Sequence, residues 1–296
     1  MRPLKPPPFD YDAPDTLDEA LDLLGEYADD AKVLAGGQSL IPLMALRLAR
    51  PARLVDIGRI ESLRGIEVNG ALTIGAGVHQ RTAERSAEVA RHCPPLAQAL
   101  PFVAHVPIRT RGTIGGSIAH ADPAAELPAI ALLADAEITA RSRGAGERTI
   151  TAAEFFQGFF ETALEPDELV TDVRFPGWPA RTGSAFEELA RRHGDFALVG
   201  AGAVVGLAED GTVREARLAF TGIASTPVRV AAAEALLVGN EPTADAVAAA
   251  VEAARAELDP GSDVHATAAY RTHVAGILAG RVLHDAAAGA AREGVS

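Results

Sequence analysis

The stretch Pro176-Gly177-Trp178-Pro179 divides the chain into two segments whose apolar patterns do not suit one layered sheet. Proline fixes φ and removes a backbone donor, and glycine loosens the chain, so the cluster reads as a linker. Before it, helical and extended periodicities alternate. Leu17, Ala20, Leu21 and Leu24 recur at helical spacing behind Thr16-Leu17-Asp18-Glu19, a capping box in which Thr and Glu each cover an unpaired N–H. Extended runs follow at Lys32–Ala35, Arg53–Ile57, Leu72–Gly75, Glu137–Arg141 and Glu168–Phe175, with helices expected over Leu40–Leu48, Arg81–Arg91, Pro95–Phe102 and Pro123–Ala134. Thr151-Ala152-Ala153-Glu154 reads as a second capping box. After the linker, Ser184–Arg191, Leu198–Ala208 and Thr212–Thr221 read as antiparallel strands, with Asp210-Gly211 turning a hairpin. Helices are expected at Pro227–Val238, Ala244–Leu258 and Ala266–Ala287. Helix and strand alternate before the linker and separate after it; the chain is expected to be an α+β protein, and its 296 residues exceed one average domain, so two domains are expected. The expected division is 1–176, with subdomains of about 1–58 and 59–176, and 180–290.

A formal net charge of −13 argues against nucleic-acid phosphates and anionic membrane surfaces as partners. The start, Met1-Arg2-Pro3-Leu4-Lys5-Pro6, has no apolar run after its basic residues, and no uncharged stretch is long enough to span a bilayer. A cytoplasmic protein is expected. The single cysteine, Cys93, leaves no intrachain disulfide and cannot hold an iron–sulfur cluster, which needs about four thiolates.

The chemistry-bearing signals are two glycine pairs. In Leu34-Ala35-Gly36-Gly37-Gln38-Ser39-Leu40 a strand ends in paired glycines before a helix. Without Cβ atoms, such a turn can bring consecutive N–H groups onto an anion. Arg111-Gly112-Thr113-Ile114-Gly115-Gly116-Ser117 repeats the pattern, and two such loops could grip the two phosphates of a dinucleotide. Each alone is also compatible with a plain tight turn. In His120-Ala121-Asp122-Pro123-Ala124-Ala125-Glu126, Asp122 reads as a helix cap, and either carboxylate could accept hydrogen bonds from ribityl or ribose hydroxyls. Gly200-Ala201-Gly202-Ala203-Val204-Val205-Gly206 looks like a dinucleotide fingerprint but lies inside an apolar strand run, where small residues serve packing. No lysine-bearing phosphate loop, zinc-spaced histidine pair or nucleophile elbow is present, and the eight histidines are scattered, as surface or capping residues usually are. No catalytic side chain and no metal site is expected.

Taken in order, these segments resemble the FAD-binding medium subunit of the xanthine dehydrogenase/carbon monoxide dehydrogenase family. Val33 to Met44 followed by Leu54-Val55-Asp56-Ile57 resembles its first flavin-binding segment, and Ile108 to Ser117 continuing through Ala121 to Pro128 resembles the second. Arg191-Arg192-His193-Gly194-Asp195-Phe196-Ala197 and Thr221 to Pro227 match landmarks of its C-terminal domain. The resemblance spans essentially the whole chain. It implies a two-subdomain FAD-binding domain of the vanillyl-alcohol-oxidase type, then a smaller domain of three antiparallel strands and a helical bundle. It also implies that Ala35 to Ser39 and Thr113 to Ser117 wrap the FAD pyrophosphate, with Glu126 as an acidic flavin contact; Leu34, Leu40 and Asp122 are expected among the cofactor-binding residues as well. Val103 and Val170 would be apolar contacts to the ring system or adenine, and Phe196 an aromatic near the isoalloxazine. Phe196 stands where Tyr is frequent, and Ser117 where Asn is common. Valine at Gly37 or Gly116 is expected to abolish FAD retention by filling the space beside the pyrophosphate.

The resemblance further implies an electron-transfer role within a molybdenum hydroxylase. A large partner subunit would carry the molybdenum cofactor and a small one two 2Fe–2S clusters, together forming a dimer of heterotrimers. Electrons would pass through FAD to an external acceptor such as NAD, a quinone or oxygen. The alternative is a free-standing FAD-dependent oxidoreductase, which would need a positioned base that no motif marks.

Overall fold

A computed structural model describes residues 5–293, so the first four residues of the basic start lie outside the described residues. The first subdomain is a small parallel sheet. Its strands β1 (Asp10–Asp12), β2 (Ala31–Leu34) and β3 (Arg53–Asp56) lie in the order β1-β3-β2. Helices α1 (Leu17–Tyr27) and α2 (Leu40–Ala45) make the crossovers. The α1 capping box forms as expected: the Glu19 N–H donates to the Thr16 hydroxyl, and the Glu19 carboxylate accepts from the Thr16 N–H. Ala20, Leu21 and Leu24 are the helix face buried against the sheet.

The second subdomain is an antiparallel sheet, β4-β5-β10-β6-β7, built from β4 (Ile66–Val68), β5 (Leu72–Gly75), β6 (Glu137–Ser142), β7 (Gly146–Thr151) and β10 (Leu169–Phe175). A two-stranded ribbon, β8 (Phe156–Gly158) and β9 (Glu161–Thr162), stands apart from it. Between β5 and β6 run six short helices: α3 (Gln80–Glu84), α4 (Ala87–His92), α5 (Pro94–Ala99), α6 (Val106–Arg109), α7 (Ile114–His120) and α8 (Glu126–Leu133). The helix expected over 81–91 is thus two, broken at Arg85-Ser86, with Ser86 capping the second. The second capping box does not form. Thr151 ends β7, and its hydroxyl donates to the Glu154 carboxylate instead of accepting an N–H at the start of the short α9 (Ala152–Phe155).

After the linker, β11 (Thr182–Ala190), β12 (Ala197–Leu207) and β13 (Val213–Thr221) form the expected antiparallel meander. The Asp210 carboxylate accepts from the Thr212 N–H at the turn, and Gly211 takes a positive φ of 89°. The sheet holds one strand more than expected. β14 (Val228–Arg229) pairs with β13, so the following helix α10 (Ala231–Leu237) starts later than Pro227. The residues ahead of that helix satisfy their backbone on the sheet edge. Helices α11 (Ala244–Glu257) and α12 (Ala268–Glu293) complete the layer behind the sheet.

The glycines of β12 lie inside the strand, as their apolar setting implied. A Cβ at Gly202 would meet Leu133 of α8 at 2.7 Å, so this glycine lets the two domains approach. Phe186, Val204 and Ala219 accordingly belong to the same core as α8 and the large sheet. Cys93 is fully enclosed there, and burial pushes its thiol up to about 12.

Candidate functional site

The sequence folds both glycine loops onto one seam. Gly36 packs so closely that a Cβ would lie 2.2 Å from the Arg111 carbonyl oxygen and 2.7 Å from Gly112 Cα. One step on, a Cβ at Gly116 would meet that of Ala35 at 3.3 Å. Gly115 presses on Ala76, where a Cβ would come within 2.3 Å of its neighbour's. The glycines are therefore required chiefly for protein-to-protein approach. This changes the reason expected for them. Added side chains at Gly37 and Gly116 would point at Ile41, Leu34, Thr113 and Ala35, not into open space beside a ligand.

Beside the seam opens a cleft of about 980 Å³, near the upper end of the roughly 300–1,000 Å³ usual for small-molecule sites. Ala35, Gly36, Gly37, Gln38, Ser39 and Leu40 line it, as do Thr113, Gly115, Gly116 and Ser117. Val103, Asp122, Glu126, Val170 and Phe196 line it too, although they come from α-helical, strand and C-terminal-domain segments far apart in sequence. Leu34 and Ile114 do not. Ile114 is buried in the core, and Leu34 ends β2 under the turn at Gly37.

The two loops use their backbones differently. The N–H groups of Gly36, Gly37, Gln38, Ser39 and Leu40 donate to no protein acceptor among the described residues. Gly37 takes φ +71°, and the Gln38 side-chain amide donates to the Gly36 carbonyl at 2.9 Å, which fixes the turn. A run of unpaired N–H groups along the lining of a cleft is a ready anion nest. In the second loop the donors are already engaged. The Ile114 N–H donates to Val78 O, that of Gly115 to Ala76 O, that of Gly116 to the Thr113 hydroxyl and that of Ser117 to Thr113 O.

The cleft wall is held by an ion-pair cluster whose members carry no motif in the sequence. Arg109, buried in α6, donates to both Glu84 carboxylate oxygens and to the carbonyls of Val103 and Ala104 at 2.8 and 3.1 Å. Burial alone would push Glu84 up, but hydrogen bonds from Arg109 and Arg81 outweigh it and hold the carboxyl below its ordinary value. Gln80, also on the wall, is buried with its Oε1 unpartnered.

Asp122 is not the helix cap expected of it. α8 starts at Glu126, and the Asp122 carboxylate instead accepts from the Ala124 N–H, turning the chain toward that start. Burial pushes Glu126 up to about 7, helped by Asp122, so near neutrality it can offer a proton as well as accept one. Glu188 reaches toward it from β11, raised to about 8 by burial and then by Glu126. Its Oε2 is buried without a partner. Thr221, beside Glu188 across Gly200 of β12, donates to the Pro123 and Ala125 carbonyls and so ties the C-terminal sheet to the entry of α8.

Lys32, His120 and Phe160 also line the cleft, and no sequence signal marked them as site residues. Among the described residues no group of His, Cys, Asp and Glu could hold a metal ion, and no helix is long and apolar enough to cross a membrane.

Residues 7–178 match the family described as the FAD binding domain in molybdopterin dehydrogenase, and residues 184–286 the CO dehydrogenase flavoprotein C-terminal domain. The chain is 42% identical to the 6-hydroxypseudooxynicotine dehydrogenase complex subunit alpha of Paenarthrobacter nicotinovorans, covering 96% of each. It is 40% identical to the carbon monoxide dehydrogenase medium chain of Hydrogenophaga pseudoflava, covering 95% of this chain and 98% of that one. Among solved structures, carbon monoxide dehydrogenase from Hydrogenophaga pseudoflava superposes with a TM-score of 0.92 at 42% identity, covering 96% of this chain and 99% of that one. Quinoline 2-oxidoreductase from Pseudomonas putida 86 does so with 0.91 at 38%, covering 97% and 99%.

Proposed function

This chain belongs to the family of FAD-binding medium subunits of the molybdenum hydroxylases, and from that premise we propose that it carries FAD in the cleft with the diphosphate seated on Gly36–Leu40. The observation that carries the placement is the run of unpartnered N–H groups there. A chain of net charge −13 with no lysine-bearing phosphate loop needs donors of this kind to hold two phosphates. Gly112, Gly115 and Gly116 serve by letting the second loop support the first from behind, and Ser117 adds a side-chain hydroxyl at the cleft.

When bound, FAD supplies the redox chemistry, taking electrons singly and giving them up in pairs; the protein binds, orients and tunes it. Arg109 fixes the backbone at Val103 and Ala104, so the wall they form is preset. Burial raises the Glu126 carboxyl to about 7, so near neutrality it can donate as well as accept a hydrogen bond at the cleft. Phe196 offers an exposed ring from the C-terminal domain. No side chain here is asked to act as a nucleophile. The electron source would be a small partner subunit with two 2Fe–2S clusters beside a large molybdenum-cofactor subunit, assembled as a dimer of heterotrimers in the cytoplasm. The one buried cysteine fits that division, since clusters require thiolates from elsewhere.

Purified chain is expected to show oxidised-flavin absorbance and, once stripped, to rebind one FAD per chain. Protein that stays colourless with excess FAD contradicts the proposal.

A further inference from the structure

The cleft has aromatic rings at two places only among the described residues: Phe196, and the pair His120 and Phe160. The seam between the glycine loops shows that these lie at opposite ends. Gly36 abuts Gly112 and Ala35 abuts Gly116, so β2 runs back along α7. Following that direction leads to Lys32 on one side and to His120, the last residue of α7, on the other; the Lys32 ammonium is close enough to bear on the His120 ring. The opposite direction from Gly112 leads through α6 to His105. There the loop bearing Phe196 packs, a Cβ at Gly194 falling 2.4 Å from the His105 ring.

A dinucleotide cofactor has the same layout, a diphosphate between two ring systems. Phe160 and His120 are arranged as a stacking platform. Their ring centroids are 5.0 Å apart at an interplanar angle of 34°. Phe160 sits at the tip of the β8–β9 ribbon, 56% exposed, with φ +56°. The two-residue turn between β8 and β9 favours that left-handed backbone, and it holds the Phe160 ring at the cleft. Burial pushes the His120 imidazole down, against Asp122 and with Lys32, so the ring is neutral at physiological pH and presents a flat face without a charge to desolvate.

Resting on the reading of the cleft as an FAD site, we propose that Phe160 and His120 form the seat for the purine ring, stacking adenine at the far end of the diphosphate nest from Phe196. Neither residue touches the reacting ring, so the pair determines which flavin nucleotide the chain retains: the dinucleotide over the mononucleotide.

The test is flavin binding to the stripped full chain, followed by flavin fluorescence, with FAD and FMN titrated separately. Base–aromatic stacking of this kind is worth roughly five- to hundredfold in affinity. Phe160→Ala and His120→Ala should each weaken FAD by about that factor while leaving FMN affinity within about twofold, and Phe160→Tyr should restore FAD binding. Circular dichroism of each variant separates misfolding from loss of the seat. An FMN affinity that falls as far as that of FAD, or an FAD affinity that stays level in Phe160→Ala, overturns the proposal. Failure of the wild-type chain to bind FAD at all would instead overturn the site itself.

Discussion

The two glycine loops look alike in sequence and behave differently in the fold. The first pair precedes α2 and the second lies in the first turn of α7, and Gly36–Leu40 leaves its N–H groups free while Ile114–Ser117 has all of its own engaged by protein acceptors. The difference arises from the surroundings of each loop. Beyond β2 the chain turns at Gly37 in the left-handed region, away from any acceptor. The second loop instead lies along the segment after β5, whose Ala76 and Val78 carbonyls accept its amides. A Gly-Gly pair thus announces close approach; whether it binds an anion depends on whether the fold leaves its donors unpaired.

The largest effect should come from breaking the seam that the loops share. Gly36→Val would drive a branched side chain into the Arg111 carbonyl, and it is expected to abolish FAD retention and lower the melting temperature of the stripped protein. Next comes Gly115→Ala, whose Cβ collides with that of Ala76. Overpacking of this kind costs about 1–3 kcal/mol, so the stripped chain should melt several degrees lower while folded protein still binds FAD. Gly37→Ala should do the reverse. A left-handed non-glycine costs roughly 1–2 kcal/mol, and relief by shifting the turn disperses the nest. FAD affinity is expected to fall by about tenfold for each 1.4 kcal/mol, with less change in melting than for Gly115→Ala. Equal effects of Gly37→Ala and Gly115→Ala on both measurements would erase the contrast between the loops.

Much of this architecture could be read in the residues. The capping box at Thr16, the Asp210-Gly211 hairpin and the strand setting of Gly200–Gly206 are local signals, set by neighbours within a few positions. The glycine loops and Glu126 were visible as motifs. The hidden features were set by distant partners. β14 depends on an open edge of β13, and the engagement of the second loop depends on Ala76 and Val78. Arg109 gains its place from Glu84 across two other helices, and His120 gains Phe160 only when the β8–β9 ribbon folds over α7. Asp122 reads as a cap in the sequence because the helix is expected to begin at Pro123, before its true start at Glu126.

The smallest expected effect concerns the carboxyl pair behind the cleft, where the C-terminal sheet meets the loops' domain. Glu126 and Glu188 have folded-state values of about 7 and about 8, above their ordinary 4.5. The protonated forms are therefore favoured by folding, and the stability they contribute is full below about pH 4.5 and is lost as pH rises through 7 to 8. Glu188→Gln removes one of the two charges. It should leave the melting temperature of the stripped chain nearly unchanged at pH 5 and raise it above wild type at pH 9. A pH-independent difference would mean that folding does not raise the Glu188 carboxyl.

Amide hydrogen exchange of the stripped chain, with and without added FAD, tests the asymmetry of the loops most directly. Gly36–Leu40 should exchange quickly alone and become strongly protected with FAD, while Ile114–Ser117 should be protected in both states. Protection that appears only at Ile114–Ser117, or Gly36–Leu40 amides that exchange equally fast with FAD bound, would contradict the assignment of the diphosphate to the first loop.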